Sequence, residues 1–111
     1  MELNRGDICL INFNPAKGGE IGKLRPAVVM SSKDENSILD TVIVIPLSTV
    51  IEEDTLPYRY TINKRDKLKQ TSDACIYEIR TLAKTRVKEK LSVLSEVEIE
   101  IVQNALCEIL G

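Results

Sequence analysis

Short apolar segments alternate with polar ones along most of the chain, and this pattern predicts a fold built mainly of β-strands. Ile8 to Phe13 is almost entirely apolar, Pro26 to Ser31 contains four successive apolar residues, and Thr41 to Ile45 is β-branched throughout. β-Branched residues are enriched in strands, and short apolar runs between turn residues are typical of buried strands. We therefore expect strands at these three segments, with Pro46 ending the third.

Two later segments have the two-residue alternation of half-exposed strands. The first is Tyr58 to Asn63, and the second is Ala74 to Leu82, in which Glu78 and Arg80 fall on one face as neighbours. The segment from Lys33 to Asp40 is polar and predicts a turn.

The C-terminal segment changes to helical spacing. Ser95 and Glu98 have the spacing of a capping box, an apolar stripe runs from Ile101 to Leu110, and Gly111 stands where a C-cap glycine would. We predict a single domain, residues 1–111, of mainly β (α+β) class, with a small barrel or strongly bent sheet and a C-terminal helix packed on it.

Length and composition are those of a globular domain with its own core. The longest apolar run, Val42 to Leu47, is too short to span a membrane, and the polar start of the chain lacks a secretory signal pattern. Cys9, Cys75 and Cys107 are odd in number and widely spaced. We interpret them as buried thiols of a cytoplasmic protein, without disulfides or zinc.

The chain contains no histidine, which excludes the usual general base and the nucleophile systems that depend on one. The acidic clusters 34–40 and 52–54 lack the spacing of metal ligands, so we expect no metal or other cofactor. Residues 64–90 carry nine lysines and arginines against four acidic residues, whereas both flanking segments are net acidic. This distribution permits a local anion-binding face, although a solvated surface would have the same composition.

The glycine-rich segment from Gly18 to Pro26 is the first candidate site, because it delivers Arg25 to the edge of a strand. Glycines allow close approach of the backbone to a ligand, and a guanidinium suits phosphate. The alternative is an ordinary exposed arginine. Ser48 and Thr49 follow a buried strand, and their hydroxyls either donate to a phosphate or form a turn. Glu78 and Arg80 either position a ligand or form a surface ion pair.

The residues together resemble the MazF/PemK family of toxin endoribonucleases from type II toxin–antitoxin systems. The matching segments occur in the same order over essentially the whole chain: Arg5–Ile8, Phe13–Pro15, Gly18–Glu20, Arg25–Val29, Val44–Thr49, Leu68–Ser72, Ile79–Leu82, Lys84–Val87 and the C-terminal helix.

The resemblance implies an SH3-like β-barrel with a C-terminal helix that forms a homodimer. It also implies sequence-specific, metal-independent cleavage of single-stranded RNA, including mRNA, which causes growth arrest and is neutralised by a cognate antitoxin. In this chemistry the 2′-hydroxyl attacks the adjacent phosphate and produces a 2′,3′-cyclic phosphate and a 5′-hydroxyl. Since the nucleophile belongs to the substrate, the chemistry suits a chain without histidine.

By resemblance, Arg25 is the catalytic arginine, which stabilises charge on the phosphate and transfers a proton to the leaving oxygen. The catalytic hydroxyl, a threonine in the family, is Ser48 or the adjacent Thr49. The resemblance further assigns RNA binding to Lys17, Gly19, Glu20, Lys23, Glu78 and Arg80. The chain departs from the family pattern at Cys9, Val50 and Glu78, where an aromatic residue and two glutamines are common.

Two other functions remain open at this point. One is a toxin of the same fold that binds a protein without cleaving RNA, like the gyrase-poisoning CcdB relatives, which would depend on the C-terminal helix. The other is an inactive RNA-binding module. The combination of Arg25 with the hydroxyls of Ser48 and Thr49 favours the endoribonuclease.

Overall fold

The structure is a computed structural model that describes residues 1–13, 23–53 and 55–111. Within these ranges it contains strands β1 (Asp7–Asn12), β2 (Leu24–Val29), β3 (Thr41–Ser48), β4 (Arg59–Ile62), β5 (Ser72–Cys75), β6 (Arg80–Ala83) and β7 (Val87–Val93), and helices α1 (Lys33–Ile38) and α2 (Glu96–Leu110). Short 3₁₀ turns at Ile76–Glu78 and Lys84–Arg86 flank β6. The mainly β class with a C-terminal helix is as predicted.

The strands form one bent antiparallel sheet in the order β4-β5-β3-β2-β1-β7, and β6 also pairs with β3. In the described residues no ladder joins β4 to β7, so the sheet is barrel-like without being closed. A single backbone bond from the Lys67 amide to the Leu91 carbonyl, at 3.1 Å, connects the β4–β5 loop to β7.

Strand β3 is the centre of the sheet, and it continues through Pro46 to Ser48. The prediction that Pro46 ends this strand is wrong. Along the edge of β3 that faces away from β2, β6 pairs only as far as Val44 and β5 begins at Leu47. Pro46 therefore lies in a gap between two partner strands, where a missing N–H breaks no ladder hydrogen bond.

The predicted continuous strand from Ala74 to Leu82 is also wrong, because the 3₁₀ turn Ile76–Glu78 divides it into β5 and β6. Both halves pair with the same edge of β3, through Leu47↔Ala74 and Val44↔Arg80. From Ala74 to Arg80 the chain advances by six residues, whereas the paired residue of β3 changes by only three, from Leu47 back to Val44. The turn absorbs these three extra residues.

Two elements were not predicted. The polar segment expected to be a turn forms α1, which begins with the Ser32–Glu35 capping box and buries Asn36. Asn36 donates to the Leu3 carbonyl at 3.0 Å, so the short helix is anchored by a polar contact rather than by an apolar stripe. Strand β7 was also missed, because its segment is rich in exposed lysine and glutamate.

Helix α2 forms as predicted, with a Ser95–Glu98 capping box and an N–H of Gly111 that bonds the Cys107 carbonyl. Val102 and Ala105 are buried from its stripe. They belong to the helix-side core, whose buried residues are Ile8, Val28, Met30, Ile45, Leu47, Ile62, Leu68, Ala74, Ile76, Leu94, Val102 and Ala105. The opposite face of the sheet carries a second core, here called the site-side core, of Leu3, Cys9, Ile11, Phe13, Ala27, Val29, Val42 and Val44.

The cysteine prediction holds for two of three residues. Cys9 and Cys75 are buried, whereas Cys107 is exposed on α2. Burial raises the pKa of Cys9 to about 11, so its thiol stays protonated at neutral pH. Within the described residues, neither helix has the length and apolar character that crossing a membrane requires.

Candidate active site

Arg25 is the second residue of β2, and its side chain is exposed. It pairs with Ile11 of β1, near the end of a ladder closed by a 3.0 Å bond from the Phe13 amide to the Lys23 carbonyl. Lys23 is exposed as well. The two cations thus stand where the β1–β2 hairpin enters the segment between residues 13 and 23. Lys17, Gly19 and Glu20, predicted to bind RNA, fall in the part of this segment outside the described residues.

Ser48, the last residue of β3, is brought close to Arg25 by the register of β2 with β3. The pairs Val28↔Ile45 and Ala27↔Pro46 define that register. Continued by two residues, the register sets Arg25 opposite Ser48. Since side chains alternate along a strand, both residues lie on the face of the sheet that carries the site-side core.

Arg80 reaches the same face from β6, where it pairs with Val44. Its guanidinium carbon lies 4.5 Å from the centroid of the Phe13 ring, a cation–π contact. Arg86 donates to the carbonyls of Asn12 and Phe13 at 3.2 and 3.3 Å. The site-side face therefore collects Arg25, Arg80 and the Ser48 hydroxyl around the end of β1.

Thr49 faces a different region. It lines a groove of about 340 Å³ with Leu10, Pro26, Lys67, Leu68, Lys69, Gln70, Ser72 and Leu91. Leu10 and Pro26 of its lining alternate with Ile11 and Arg25 along their strands, so this groove is on the other side of the sheet from Arg25 and Ser48. The structure thus separates the two hydroxyls that the sequence left as alternatives.

Glu78 is not where the sequence placed it. It belongs to the 3₁₀ turn before β6, so it does not share a strand face with Arg80, and the described residues show no ion pair between the two. Arg80 instead stacks on Phe13. The positive charge of Arg80 is therefore not neutralised by Glu78.

The Ser48 hydroxyl has a defined orientation. Its Oγ accepts a hydrogen bond from the Val50 amide at 3.2 Å. Because a hydroxyl oxygen that accepts from an N–H still carries its own hydrogen, Ser48 keeps one donor for another group. The turn-forming role of this hydroxyl and a donor role toward a phosphate are thus compatible.

A buried carboxylate that sequence reasoning missed lies directly opposite Ser48. Asp73 of β5 pairs with Ser48 in the β3–β5 ladder and is completely buried. Its Oδ2 accepts from the Glu52 amide at 2.8 Å and from Arg59 Nη1 at 3.3 Å, and its Oδ1 accepts from Thr61 Oγ1 at 2.7 Å. In the sequence the only signal was an acidic residue inside an otherwise small and apolar strand.

The hydrogen bonds to Asp73 determine its ionisation. Burial alone would raise the pKa of this carboxyl, but the bonds from the Glu52 amide, Thr61 and Arg59 together outweigh burial and lower it. Asp73 is therefore an anion at neutral pH. Among the described residues no group of three or more acidic or cysteine side chains is arranged to hold a metal ion.

This arrangement can bind and polarise a phosphate. Arg25 supplies a cation with parallel N–H donors, and Ser48 supplies a neutral donor at the end of the adjacent strand. Donors carried on neighbouring strands are suited to stabilising charge that develops on a phosphorus centre. The site-side face thus has the elements of a phosphate-directed catalytic site.

The fold is shared with solved toxin structures. The MazE–MazF complex from Deinococcus radiodurans contains a chain with a TM-score of 0.82 at 21% identity, covering 100% of this chain and 97% of that one. The Mycobacterium tuberculosis toxin MazF-mt6 has a TM-score of 0.78 at 15% identity, covering 94% and 95% of the two chains. At this level of identity the likeness shows the fold class.

Sequence comparison identifies the family. The family model described as PemK-like, MazF-like toxin of type II toxin–antitoxin system matches residues 4–110. An endoribonuclease MazF from Staphylococcus epidermidis is 38% identical over 110 residues, which cover 98% of this chain and 92% of that protein. The chain therefore belongs to the PemK-like, MazF-like toxins of type II toxin–antitoxin systems, as the resemblance predicted.

Proposed function

We propose that the protein is an endoribonuclease toxin that cleaves single-stranded RNA, mRNA included, without a metal ion. The observation that carries this proposal is the β2–β3 register, which, continued by two residues beyond Ala27↔Pro46, sets Arg25 opposite Ser48 on one face of the sheet. The similarity to an endoribonuclease MazF over almost the whole chain supports it. The cytoplasm is the compartment in which mRNA would be met.

In the proposed reaction the 2′-hydroxyl of the RNA attacks the adjacent phosphorus. The bond from phosphorus to the 5′-oxygen breaks and that oxygen takes up a proton from Arg25, which is reprotonated through water by the proton that the 2′-hydroxyl gives up. The products are a 2′,3′-cyclic phosphate and a 5′-hydroxyl. Arg25 binds the phosphate, stabilises the negative charge of the phosphorane and assists departure of the 5′-oxygen. Ser48 donates its remaining hydrogen to a non-bridging oxygen.

Substrate binding is assigned to the cations around this pair. Lys23 and Arg80 are exposed on the same part of the molecule, and with Lys17, Gly19 and Glu20 we propose that they border the path of the RNA. Lys69 and Thr49 line the groove beyond the sheet edge, and we propose that the RNA strand continues around that edge into it. Glu78, in the 3₁₀ turn, is proposed to contact bases rather than phosphates because of its charge.

We further propose a cognate antitoxin partner and a homodimer. Solved relatives include MazE–MazF complexes and an endoribonuclease bound to its cognate antitoxin from mycobacterial species. An acidic antitoxin segment would match Lys23, Arg25 and Arg80 in charge and would compete with RNA for them.

The decisive experiment is cleavage of a long single-stranded RNA in EDTA, with the 5′ ends mapped. We expect cuts at a short recurring sequence by the wild-type protein. We expect Arg25→Ala to slow cleavage about 100-fold or more, because it removes a fixed donor to the transition state.

Arg5→Ala is the matched control, since Arg5 bonds the Met30 carbonyl at 2.7 Å, away from the site-side face. It should cleave at the wild-type rate. RNA binding without cleavage by the wild-type protein would favour an RNA-binding module instead. Equal rates for the Arg25→Ala and Arg5→Ala variants would contradict the assignment of Arg25.

A further inference from the structure

We propose that Asp73 is a positioning residue for the Ser48 hydroxyl and that it acts through Arg59 and Val50. This inference rests on the proposed function, because it concerns the group that donates to the RNA phosphate. It adds to that function a completely buried carboxylate beside Ser48, which determines how well the hydroxyl is held.

The hydrogen bonds form a continuous path from the carboxylate to the hydroxyl. Asp73 Oδ2 accepts from Arg59 Nη1 at 3.3 Å. The same nitrogen donates to the Val50 carbonyl at 3.0 Å. The Val50 amide then donates to Ser48 Oγ at 3.2 Å. One guanidinium nitrogen therefore connects the buried carboxylate to the residue that orients the hydroxyl.

A second contact holds the same turn from its other side. The Glu52 amide donates to Asp73 Oδ2 at 2.8 Å. Arg59 also approaches the Glu52 carboxylate, with Nε 3.7 Å from Oε2. The turn after Ser48 is thus fixed to β5 at Val50 and at Glu52, and both attachments depend on Asp73.

The bond from the Val50 amide restricts the direction in which the Ser48 hydroxyl can donate its hydrogen. With its oxygen occupied by the Val50 N–H, the hydroxyl can rotate only among positions that leave this bond intact. Its hydrogen is then available to an acceptor on the Arg25 side of the sheet. If Val50 moved away, Ser48 Oγ would be free to accept from other donors, and its orientation toward the phosphate would be lost.

The position of Asp73 argues against a role in stability alone. A carboxylate without solvent exposure has a desolvation cost that an apolar residue of similar volume would not have. Asp73 is completely buried between its two ladder partners, Ser48 and Thr61, so its charge has no direct contact with solvent. Two of the three partners of this buried ion, the Glu52 amide and Arg59, hold the turn after Ser48, which is what positioning of that turn requires.

The test is a double-mutant cycle on cleavage rate at saturating RNA. We expect Ser48→Ala to slow the rate about 100-fold and Asp73→Asn about 10-fold, because the amide is neutral and has a donor in place of one of the two acceptor oxygens of Asp73. In the Ser48→Ala background, Asp73→Asn should have no further effect. An equal 10-fold loss in both backgrounds would overturn the proposal, as would a Ser48→Ala variant with the wild-type rate.

Two further measurements keep the result independent of folding. Hydrogen exchange of the Val50 and Glu52 amides should accelerate in Asp73→Asn, while exchange in the β1–β2 ladder stays unchanged. Arg59→Lys keeps a positive charge near Asp73 but lacks the planar fork, and it should reproduce both the rate loss and the faster exchange. Unchanged exchange at Val50 in both variants would overturn the proposal.

Glu98→Gln is the matched control, since it is the same carboxylate-to-amide change beside an arginine on the opposite side of the sheet. It should leave the cleavage rate unchanged. Absence of RNA cleavage by the wild-type protein would overturn the proposed function and the positioning role together. Wild-type cleavage with an unaffected Asp73→Asn rate would overturn the positioning role alone.

Discussion

Two arginine–carboxylate pairs lie at opposite ends of the β4–β5 hairpin, and they differ in hydrogen-bond geometry and in solvent exposure. Arg65 forms a two-bond pair with Glu98, at 2.6 and 2.8 Å, with side chains 25% and 17% exposed. Arg59 makes one bond of 3.3 Å to Asp73, with side chains 11% and 0% exposed. The better geometry is on the more exposed pair.

The difference lies in what each carboxylate holds. Glu98 also completes the capping box of α2 by accepting from the Ser95 amide at 2.9 Å, so its pair ties the helix to the β4–β5 loop. Asp73 accepts from the Glu52 amide in the turn after Ser48, and from the Arg59 guanidinium and the Thr61 hydroxyl on β4. The first pair joins two elements of the fold, and the second organises a loop.

The largest expected effect on stability comes from removing the buried anion. Asp73→Ala leaves the Arg59 guanidinium, the Glu52 amide and the Thr61 hydroxyl without their acceptor. We expect the free energy of unfolding to fall by about 3 kcal/mol, measured by urea denaturation.

A double variant tests whether Asp73→Ala loses stability because the charge of Arg59 is left unpaired or because the ion pair itself is stabilising. Asp73→Val with Arg59→Leu removes both ions, and it should recover most of the stability without recovering the cleavage rate. A loss of stability below about 1 kcal/mol in Asp73→Ala would contradict the claim that the buried Asp73 pair matters more to stability than the more exposed Glu98 pair.

The second effect concerns the exposed pair and depends on pH. The hydrogen bond with Arg65, the largest contribution, lowers the pKa of Glu98 to about 2, although burial opposes it. A carboxyl whose pKa is depressed in the folded state contributes stability above its unfolded value, and this contribution is lost as pH falls toward the folded pKa. Glu98→Gln should therefore reduce stability by about 2 kcal/mol at pH 6.

The same comparison at pH 3 provides the check. Between pH 5 and pH 2 the wild-type protein should lose stability faster than Glu98→Gln, so the difference between the two becomes much smaller at pH 3. Parallel stability curves over this range would show that Glu98 does not titrate as its contacts predict.

The smallest effect is expected at a single hydroxyl. Thr61→Val removes one of the hydrogen bonds to Asp73, the 2.7 Å contact with Oδ1, and leaves the bonds to Glu52 and Arg59 in place. We expect a stability loss of about 1 kcal/mol and little change in cleavage rate, since the path to Val50 is intact. A rate loss as large as that of Asp73→Asn would assign the positioning role to Thr61 instead.

Helices α1 and α2 show what sequence reasoning could and could not find in the fold. Both begin with the same Ser-x-x-Glu capping box, at Ser32 and at Ser95. Only α2 continues for enough turns to present an apolar stripe. The six residues of α1 are too few for helical periodicity, and their polarity resembles that of a turn.

The site divides in a similar way. Arg25, Ser48 and Thr49 could be selected from local sequence, because residue type and nearby prolines indicated strand ends. Their separation onto two sides of the sheet edge depended on the β2–β3 register, which no local pattern encodes. Asp73 could not be recognised, because its partners lie 12 to 21 positions away in sequence.

The three-residue turn at Ile76–Glu78 allows one strand edge to serve two partners. β5, which carries Asp73, and β6, which carries Arg80, follow each other along β3 and are offset only by the length of this turn. An insertion or deletion of one residue there that shifted the β3–β6 register by one would leave the β3–β5 ladder intact and rotate every β6 side chain, Arg80 included, to the other face of the sheet. Change of chain length at this joint is therefore a route by which related toxins could exchange the cation beside Phe13 without rebuilding the fold.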